Sequence, residues 1–312
     1  MRHFLDITQL TLLEANTLIS RAQFFKKTSQ YPSFRTSPMA NLFYENSTRT
    51  RVSFELAARH LEMPVVNLDG QGSSESKGEV IQDTVNNLSA MGVKLFVIRH
   101  AEEGLPERIA GLCGERSAIV NAGDGTHAHP SQAMLDLMTI IEQKPDLSRL
   151  KIAIVGDIRH SRVANSFQHA CALMGVGQLM LIAPTLWQPQ SIHYGQFTDS
   201  LQEGLANADV VIGLRVQKER LKASEQMNLE HYHRAYGITQ ESLKTSKKEV
   251  MVMHPGPINR GIEMDSDVAD GPHSYILQQV KNGVFMRMAI LDWSLDQPRS
   301  NTSPPEPDQS DF

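Results

Sequence analysis

Asn41-Leu42-Phe43-Tyr44-Glu45-Asn46-Ser47-Thr48-Arg49-Thr50-Arg51 joins a short apolar run to a polar, doubly cationic one, and a helix-like run follows from Val52 to Glu62. Strand, cradle, helix is the unit this order describes. A helix start presents unpaired backbone N–H groups and the positive end of the helix dipole, so hydroxyls and guanidinium groups gathered there can hold an anion such as phosphate. Helix capping is the alternative use of a Ser or Thr at this place. It accounts for one hydroxyl, whereas this stretch interleaves three hydroxyls with two arginines.

Working outward, the same alternation continues on both sides. Upstream, Leu10, Leu13, Leu18, Ile19, Ala22 and Phe25 recur at helical spacing, predicting a first helix that is capped by Thr8 and ends near Lys26-Lys27. Downstream the pattern predicts strands at 65–68, 95–98 and 118–120, with helices at 79–91, 106–113 and 130–142. Lys144-Pro145-Asp146 breaks it, and strands at 152–155, 179–183, 210–214 and 250–253 with a helix at 163–174 restart it. A last helix at 273–293 is long enough to reach back over the first half. The fold class expected is α/β, with two domains, each a mainly parallel sheet covered by helices, and an active site in the cleft between them. The boundaries expected are 1–143, 144–272, a returning C-terminal helix at 273–294, and a Pro- and Ser-rich disordered tail at 295–312.

Composition narrows the function classes. With 312 residues, 40% hydrophobic, 21% charged and a net charge of −5, the chain can bury a sizeable core and carries no excess of basic charge for nucleic acid. No apolar run has membrane-span length and the N-terminus lacks a signal peptide's apolar centre, so no membrane association and a cytoplasmic location are expected. Cys113 and Cys171, far apart in apolar contexts, read as reduced core thiols.

In parallel sheets ligands sit beyond the carboxyl ends of strands, and the residues there are polar. Arg99 follows the 95–98 run, where a second guanidinium can meet the anion held by Arg49. His127-Ala128-His129 leaves two readings open: a zinc pair as in metal-dependent amidohydrolases, or an imidazole at His129, opening a helix with Gln132 one turn in, that donates a hydrogen bond to a substrate carbonyl. His127 can also be a structural turn residue. The 70–78 loop supplies small residues and Lys77, a cation that can act on a lid. In the second half, Arg162 and Arg215 offer planar forks for carboxylates, which suggests a dianionic second substrate. Gly156-Asp157 lacks the Gly-x-Gly-x-x-Gly spacing of a dinucleotide site. His160, Lys218, Arg220 and Arg260 read as solvated or structural.

Ser47-Thr48-Arg49-Thr50-Arg51, Val97-Ile98-Arg99-His100, His129-Pro130-Ser131-Gln132, Arg215-Val216-Gln217-Lys218-Glu219-Arg220 and His254-Pro255-Gly256-Pro257 occur in this order. Through them the chain resembles the aspartate/ornithine carbamoyltransferase family, over about residues 1–294. The first and third motifs are common to both kinds of enzyme. The last two resemble the aspartate enzymes' catalytic chains, and the Ser-Met-Gly loop and His-Cys-Leu-Pro motif typical of the ornithine enzymes are absent.

The resemblance implies transfer of a carbamoyl group from carbamoyl phosphate to the α-amino group of L-aspartate, in pyrimidine biosynthesis, with no metal and no cofactor. It implies that Ser47, Thr48, Arg49, Thr50, Ser73, Arg99, His129, Gln132, Gly256 and Pro257 bind carbamoyl phosphate, with Arg49, Thr50, Arg99 and His129 catalytic. It assigns Lys77, Arg162, Arg215 and Gln217 to aspartate. Ser73 and Lys77 would come from a neighbouring subunit of a homotrimer with shared active sites; Ser74 and Ser76 compete with Ser73 for its role. Gly256-Pro257-Ile258-Asn259-Arg260-Gly261 resembles the stretch in family members that associate with a dihydroorotase-like chain, while other members bind a regulatory subunit, so either partner chain is open. A non-enzyme reading, an anion-binding subunit that supports a partner enzyme, is the alternative from another class.

Overall fold

The computed structural model describes residues 1–69, 80–216 and 228–295. In its first half run α1 (Leu12–Thr28), β1 (Met39–Phe43), α2 (Thr48–His60), β2 (Val65–Asp69), α3 (Ile81–Ala90), β3 (Leu95–His100), α4 (Leu105–Cys113), β4 (Ala118–Asp124) and α5 (Pro130–Gln143). Then come β5 (Lys151–Val155), α6 (Arg162–Met174), β6 (Gln178–Ile182), β7 (Gln196–Thr198), α7 (Leu201–Leu205), β8 (Val210–Gly213), α8 (Leu229–Tyr236), β9 (Met251–Met253), α9 (Ser266–Ala269) and α10 (Ile276–Leu295). Two sheets result, ordered β2-β1-β3-β4 and β7-β6-β5-β8-β9, and every pairing within them is parallel.

Central strands covered on both faces are apolar along their length, as parallel sheets require. β1 is buried throughout, and its register sets Phe43 opposite Arg99 of β3, so the cradle after β1 and the end of β3 lie side by side. α10 crosses back and packs on α1, α2 and α5. Polar bonds hold it there: Lys26 Nζ reaches Glu142 at 2.7 Å and Asn282 Oδ1 at 2.8 Å, tying α1, α5 and α10 together.

Some boundaries differ from expectation. α1 is capped by Thr11, not Thr8, because Thr11 and Glu14 form a reciprocal capping box, while Thr8 sits in a short 3-10 turn whose Asp6 accepts from the Thr8 N–H. α2 begins at Thr48, so Thr48, Arg49, Thr50 and Arg51 occupy its first turn instead of preceding it. β3 extends through Arg99 and His100, and β4 through Asp124. The final helix starts at Ile276, since Val252 pairs with His273 and Ser274 before the chain turns. β7 was not expected: three half-exposed residues at a sheet edge carry no apolar run to announce it. Leu295, expected to open the tail, is the last residue of α10; the rest of the expected tail, with Ser73, Lys77, Gln217, Lys218 and Arg220, lies outside the described residues. Cys113 and Cys171 are buried and unbonded. Among the described residues no helix is long and apolar enough to cross a membrane.

Candidate active site

The carboxyl ends of β1 and β3 open onto a cleft of about 450 Å³ that both sheets' loops line. Ser47 stands at the cap position of α2, yet its side chain makes no capping bond. The hydroxyl is thus left to the cleft, along with the backbone donors of the helix's first turn. Thr48, Arg49 and Thr50 line the same space, and Arg99 enters it from the neighbouring strand.

The next wall is the turn from β4 to α5. Asn121 and Asp124 build it: Asn121 Nδ2 donates to Asp124 Oδ1 at 2.8 Å, and Asn121 Oδ1 accepts from the Gly123 N–H at 2.8 Å. Gly123 has φ +121°, and a Cβ there would stand 3.3 Å from Arg162 Cζ, so the position requires glycine. The turn sends its two histidines apart. His127 faces outward, 2.9 Å from Asp124 Oδ2 and 3.7 Å from Asp6 Oδ2. His129 is buried, opens α5, lines the cleft, and donates its backbone N–H to Ser166 Oγ at 2.8 Å. They share no metal geometry, and among the described residues no three His, Cys, Asp or Glu side chains come together as a metal site.

From the second sheet come Arg162, Arg215 and the 254–257 loop. Arg162, 6% exposed, donates to the Gly125 carbonyl at 3.1 Å and pairs with Glu45 Oε2 at 2.8 Å; Arg99 Nε stands 3.3 Å from the same carboxylate oxygen. Glu45 therefore holds two arginines of opposite walls in one place. Gly256, φ +68°, lies against Arg49: a Cβ would come within 2.7 Å of the Arg49 guanidinium carbon. The Gly256 N–H donates to His254 Nδ1 at 2.7 Å, which leaves the His254 proton on Nε2, 3.4 Å from Glu263.

Charge in this cleft is mostly positive. Burial, and then Arg215, push Arg49 below the usual guanidinium range. Burial, then Arg99, Arg162 and Arg287, hold His129 well below 6.5, so at neutral pH it is an uncharged imidazole able to donate one hydrogen bond. Among the described residues, five guanidinium groups and a neutral imidazole around one cavity, with Glu45 between two of them, make a site for a multiply charged anion and for a developing oxyanion.

His127 plays a different part. The Asp124 hydrogen bond outweighs its burial and lifts it to about 9. Because the folded value lies above 6.5, the pairing stabilises fully below pH 6.5 and is lost as pH rises through about 9. His127→Ala should therefore lower the melting temperature at pH 6 and have little effect at pH 10; thermal unfolding at the two pH values measures it, and an equal drop at both would exclude the ion pair as its source.

Of the residues singled out from sequence, the cleft unites Ser47, Thr48, Arg49, Thr50, Arg99, His129, Gln132, Arg162, Arg215, Gly256 and Pro257. It leaves out His160, bonded to Asp157 at 3.0 Å, and Arg260, paired with Asp270 at the surface. Sequence reasoning missed Glu45, and Ser53, Gln279 and Arg287, which also line the cavity. The last two had a signal. Gln279, Asn282 and Arg287 are polar residues at helical spacing on the buried face of α10.

Known proteins share this architecture. The carbamoyl-P binding domain of aspartate/ornithine carbamoyltransferases matches residues 2–142, and their Asp/Orn binding domain matches residues 148–294. The aspartate carbamoyltransferase catalytic subunit of Legionella pneumophila strain Philadelphia 1 is 60% identical over 292 residues, covering 94% of this chain and 98% of its own. A solved aspartate transcarbamoylase from Trypanosoma cruzi, in complex with carbamoyl phosphate and aspartate, is 28% identical with a TM-score of 0.82, covering 94% of this chain and 96% of that one. The ornithine carbamoyltransferase of Pyrococcus furiosus is 25% identical with a TM-score of 0.81, covering 93% of this chain and 96% of that one. A cationic cleft between two parallel sheets, matched on both sides by the two domains of one enzyme family, leads to one conclusion: the chain belongs to the aspartate/ornithine carbamoyltransferase family.

Proposed function

We propose that this cleft carries out aspartate carbamoyl transfer with the residues named below. The chain is an aspartate carbamoyltransferase: it moves the carbamoyl group of carbamoyl phosphate to the α-amino group of L-aspartate, giving N-carbamoyl-L-aspartate and phosphate, a step of pyrimidine synthesis. The single observation that carries the assignment of parts is the meeting of Arg49, Arg99 and neutral His129 with Arg162 and Arg215 in one cavity.

Ser47, Thr48, Arg49, Thr50 and Arg99 hold the phosphate at the start of α2. Thr50, Arg99 and His129 face the carbamoyl oxygen, Gln132 faces the carbamoyl amide, and Gly256 and Pro257 meet the substrate through their backbone. Arg162 takes the aspartate α-carboxylate; Arg215 and Gln217 take the side-chain carboxylate. The uncharged amine attacks the carbamoyl carbon, a C–N bond forms, and negative charge collects on the carbonyl oxygen, where His129 and Arg99 donate. Collapse breaks the C–O bond to phosphate, and the leaving phosphate takes the amine proton. A neutral His129 suits this step, since it can donate without adding a proton to titrate.

The same proposal includes a division at 143/144, a homotrimer in which Ser73 and Lys77 of one copy complete a neighbour's cleft, a cytoplasmic location, and association with a regulatory or dihydroorotase-like chain. Val52 and Leu56 on α2 and Val66 on the edge strand β2 are exposed, which fits a subunit contact on that side. The test is a turnover assay of the purified chain with aspartate and with ornithine, run on protein of measured mass. Carbamoyl aspartate should form and citrulline should not; citrulline as the main product would overturn the acceptor assignment.

A further inference from the structure

Beneath the cleft, one carboxylate oxygen joins residues of two helices. Asp136 is fully buried on α5. Its Oδ1 accepts from Gln132 Nε2 at 2.8 Å and from Gln279 Nε2 of α10 at 2.8 Å. Gln279 Oε1 in turn accepts from the backbone N–H of His254 at 2.8 Å, just after β9. We propose that Asp136 is a positioning residue of the carbamoyl phosphate site: by accepting from Gln132 and Gln279 at one oxygen, it determines which end of the Gln132 amide faces the carbamoyl group. The proposal rests on the reading of Gln132 given above.

A glutamine amide is nearly symmetric in shape but not in chemistry, with a donor end and an acceptor end. The carbamoyl amide presents two N–H donors, so only the oxygen of Gln132 can receive one. A backbone N–H can only donate, so His254 sets the orientation of Gln279 and turns its NH₂ toward Asp136. An ionised carboxylate can only accept, so Asp136 turns the NH₂ of Gln132 inward and its oxygen toward the cavity that Gln132 lines. The polarity of the chain is thus set from its two ends, and it couples the 254–257 loop of one wall to α5 of the other.

The titratable groups that face Asp136 are Arg287 of α10 and Cys171 of α6. Burial lifts the Asp136 carboxyl to about 7, against the pull of Gln279, Gln132 and Arg287. Burial and Asp136 keep the Cys171 thiol well above its usual range, so it stays neutral. As pH falls through about 7, the carboxylate gains a proton and both amide bonds lose their charge assistance.

A double-mutant cycle tests this. Gln132→Ala and Asp136→Ala should each raise KM for carbamoyl phosphate about tenfold, with a smaller change in kcat. The double variant should be no more than about twofold worse than Gln132→Ala, because Asp136 acts through Gln132. Additive losses approaching about a hundredfold would overturn the proposal. Asp136→Asn keeps an acceptor oxygen and should recover most of the KM loss, while removing the inflection near pH 7 from log kcat/KM for carbamoyl phosphate. If Asp136→Ala fails to fold, the Asp136→Asn profile decides, and an unchanged inflection rejects the idea. An unaltered KM in Gln132→Ala likewise rejects it. Absence of carbamoyl transfer in the parent chain would instead reject the functional reading.

Discussion

Arg49→Ala should lower kcat for carbamoyl transfer by about 10²- to 10³-fold, the usual cost of removing one preorganised donor from developing charge. The melting temperature should stay level or rise slightly. Both halves of this expectation follow from the surroundings of Arg49. Its guanidinium lies in the first turn of α2, packed against Gly256 of the opposite wall, where it can meet phosphate from the side of the helix dipole. A charged neighbour of Arg49 is another cation, Arg215, and both burial and that repulsion disfavour its charge. Truncation therefore removes a half-buried charge and its repulsion from Arg215, which is how binding sites trade stability for activity. Steady-state kinetics and calorimetry on one preparation decide it. Near-normal turnover would sink the phosphate assignment, and a large drop in melting temperature would show a structural role instead.

Arg162→Ala should reduce kcat/KM for aspartate by at least about a hundredfold and, unlike Arg49→Ala, should also destabilise the fold. Arg162 pairs with Glu45, donates to the Gly125 carbonyl, and sits where Gly123 allows its close approach. Removing it takes the nearer of two guanidinium groups from a largely buried carboxylate, leaving Arg99 at 3.3 Å, and breaking such a pair costs about 3–5 kcal/mol. Arg162→Lys should restore part of the stability and little of the aspartate affinity, because an ammonium cannot form the planar two-point contact of a guanidinium. Thermal unfolding and aspartate saturation curves at fixed carbamoyl phosphate separate the two effects. An Arg162→Lys enzyme with parental KM for aspartate would show that charge alone suffices and that no fork holds the carboxylate.

The two parallel sheets were legible because β1, β3, β5 and β8 are covered on both faces and read as short apolar runs. Boundaries were less so. A polar stretch such as Thr48 to Arg51 looks like a loop by composition, yet it forms the first turn of α2, because a helix start tolerates hydroxyls and charge that its interior would not. β7 escaped notice for the reverse reason: an exposed edge strand needs no apolar residues, only a neighbour to pair with. The site's surface was legible in its arginines and histidines, and its foundation was not. Asp136 reads from sequence as one polar residue on the apolar helix α5, and nothing local says that Gln279, 143 positions later, will meet the same oxygen as Gln132.

Sequence alone determined the α/β class, the positions of the buried strands along the chain, and the set of chemical groups available, since periodicity and residue type are local properties of the chain. Only tertiary structure decided how those groups are used. It sent His127 out to Asp124 and His129 in among arginines, two residues apart and on opposite sides of a turn. It also set Glu45 between Arg99 and Arg162, and Gly256 against Arg49. Protonation state and donor direction depend on burial and on neighbours brought from distant segments, and those quantities exist only once the sheets have folded against each other.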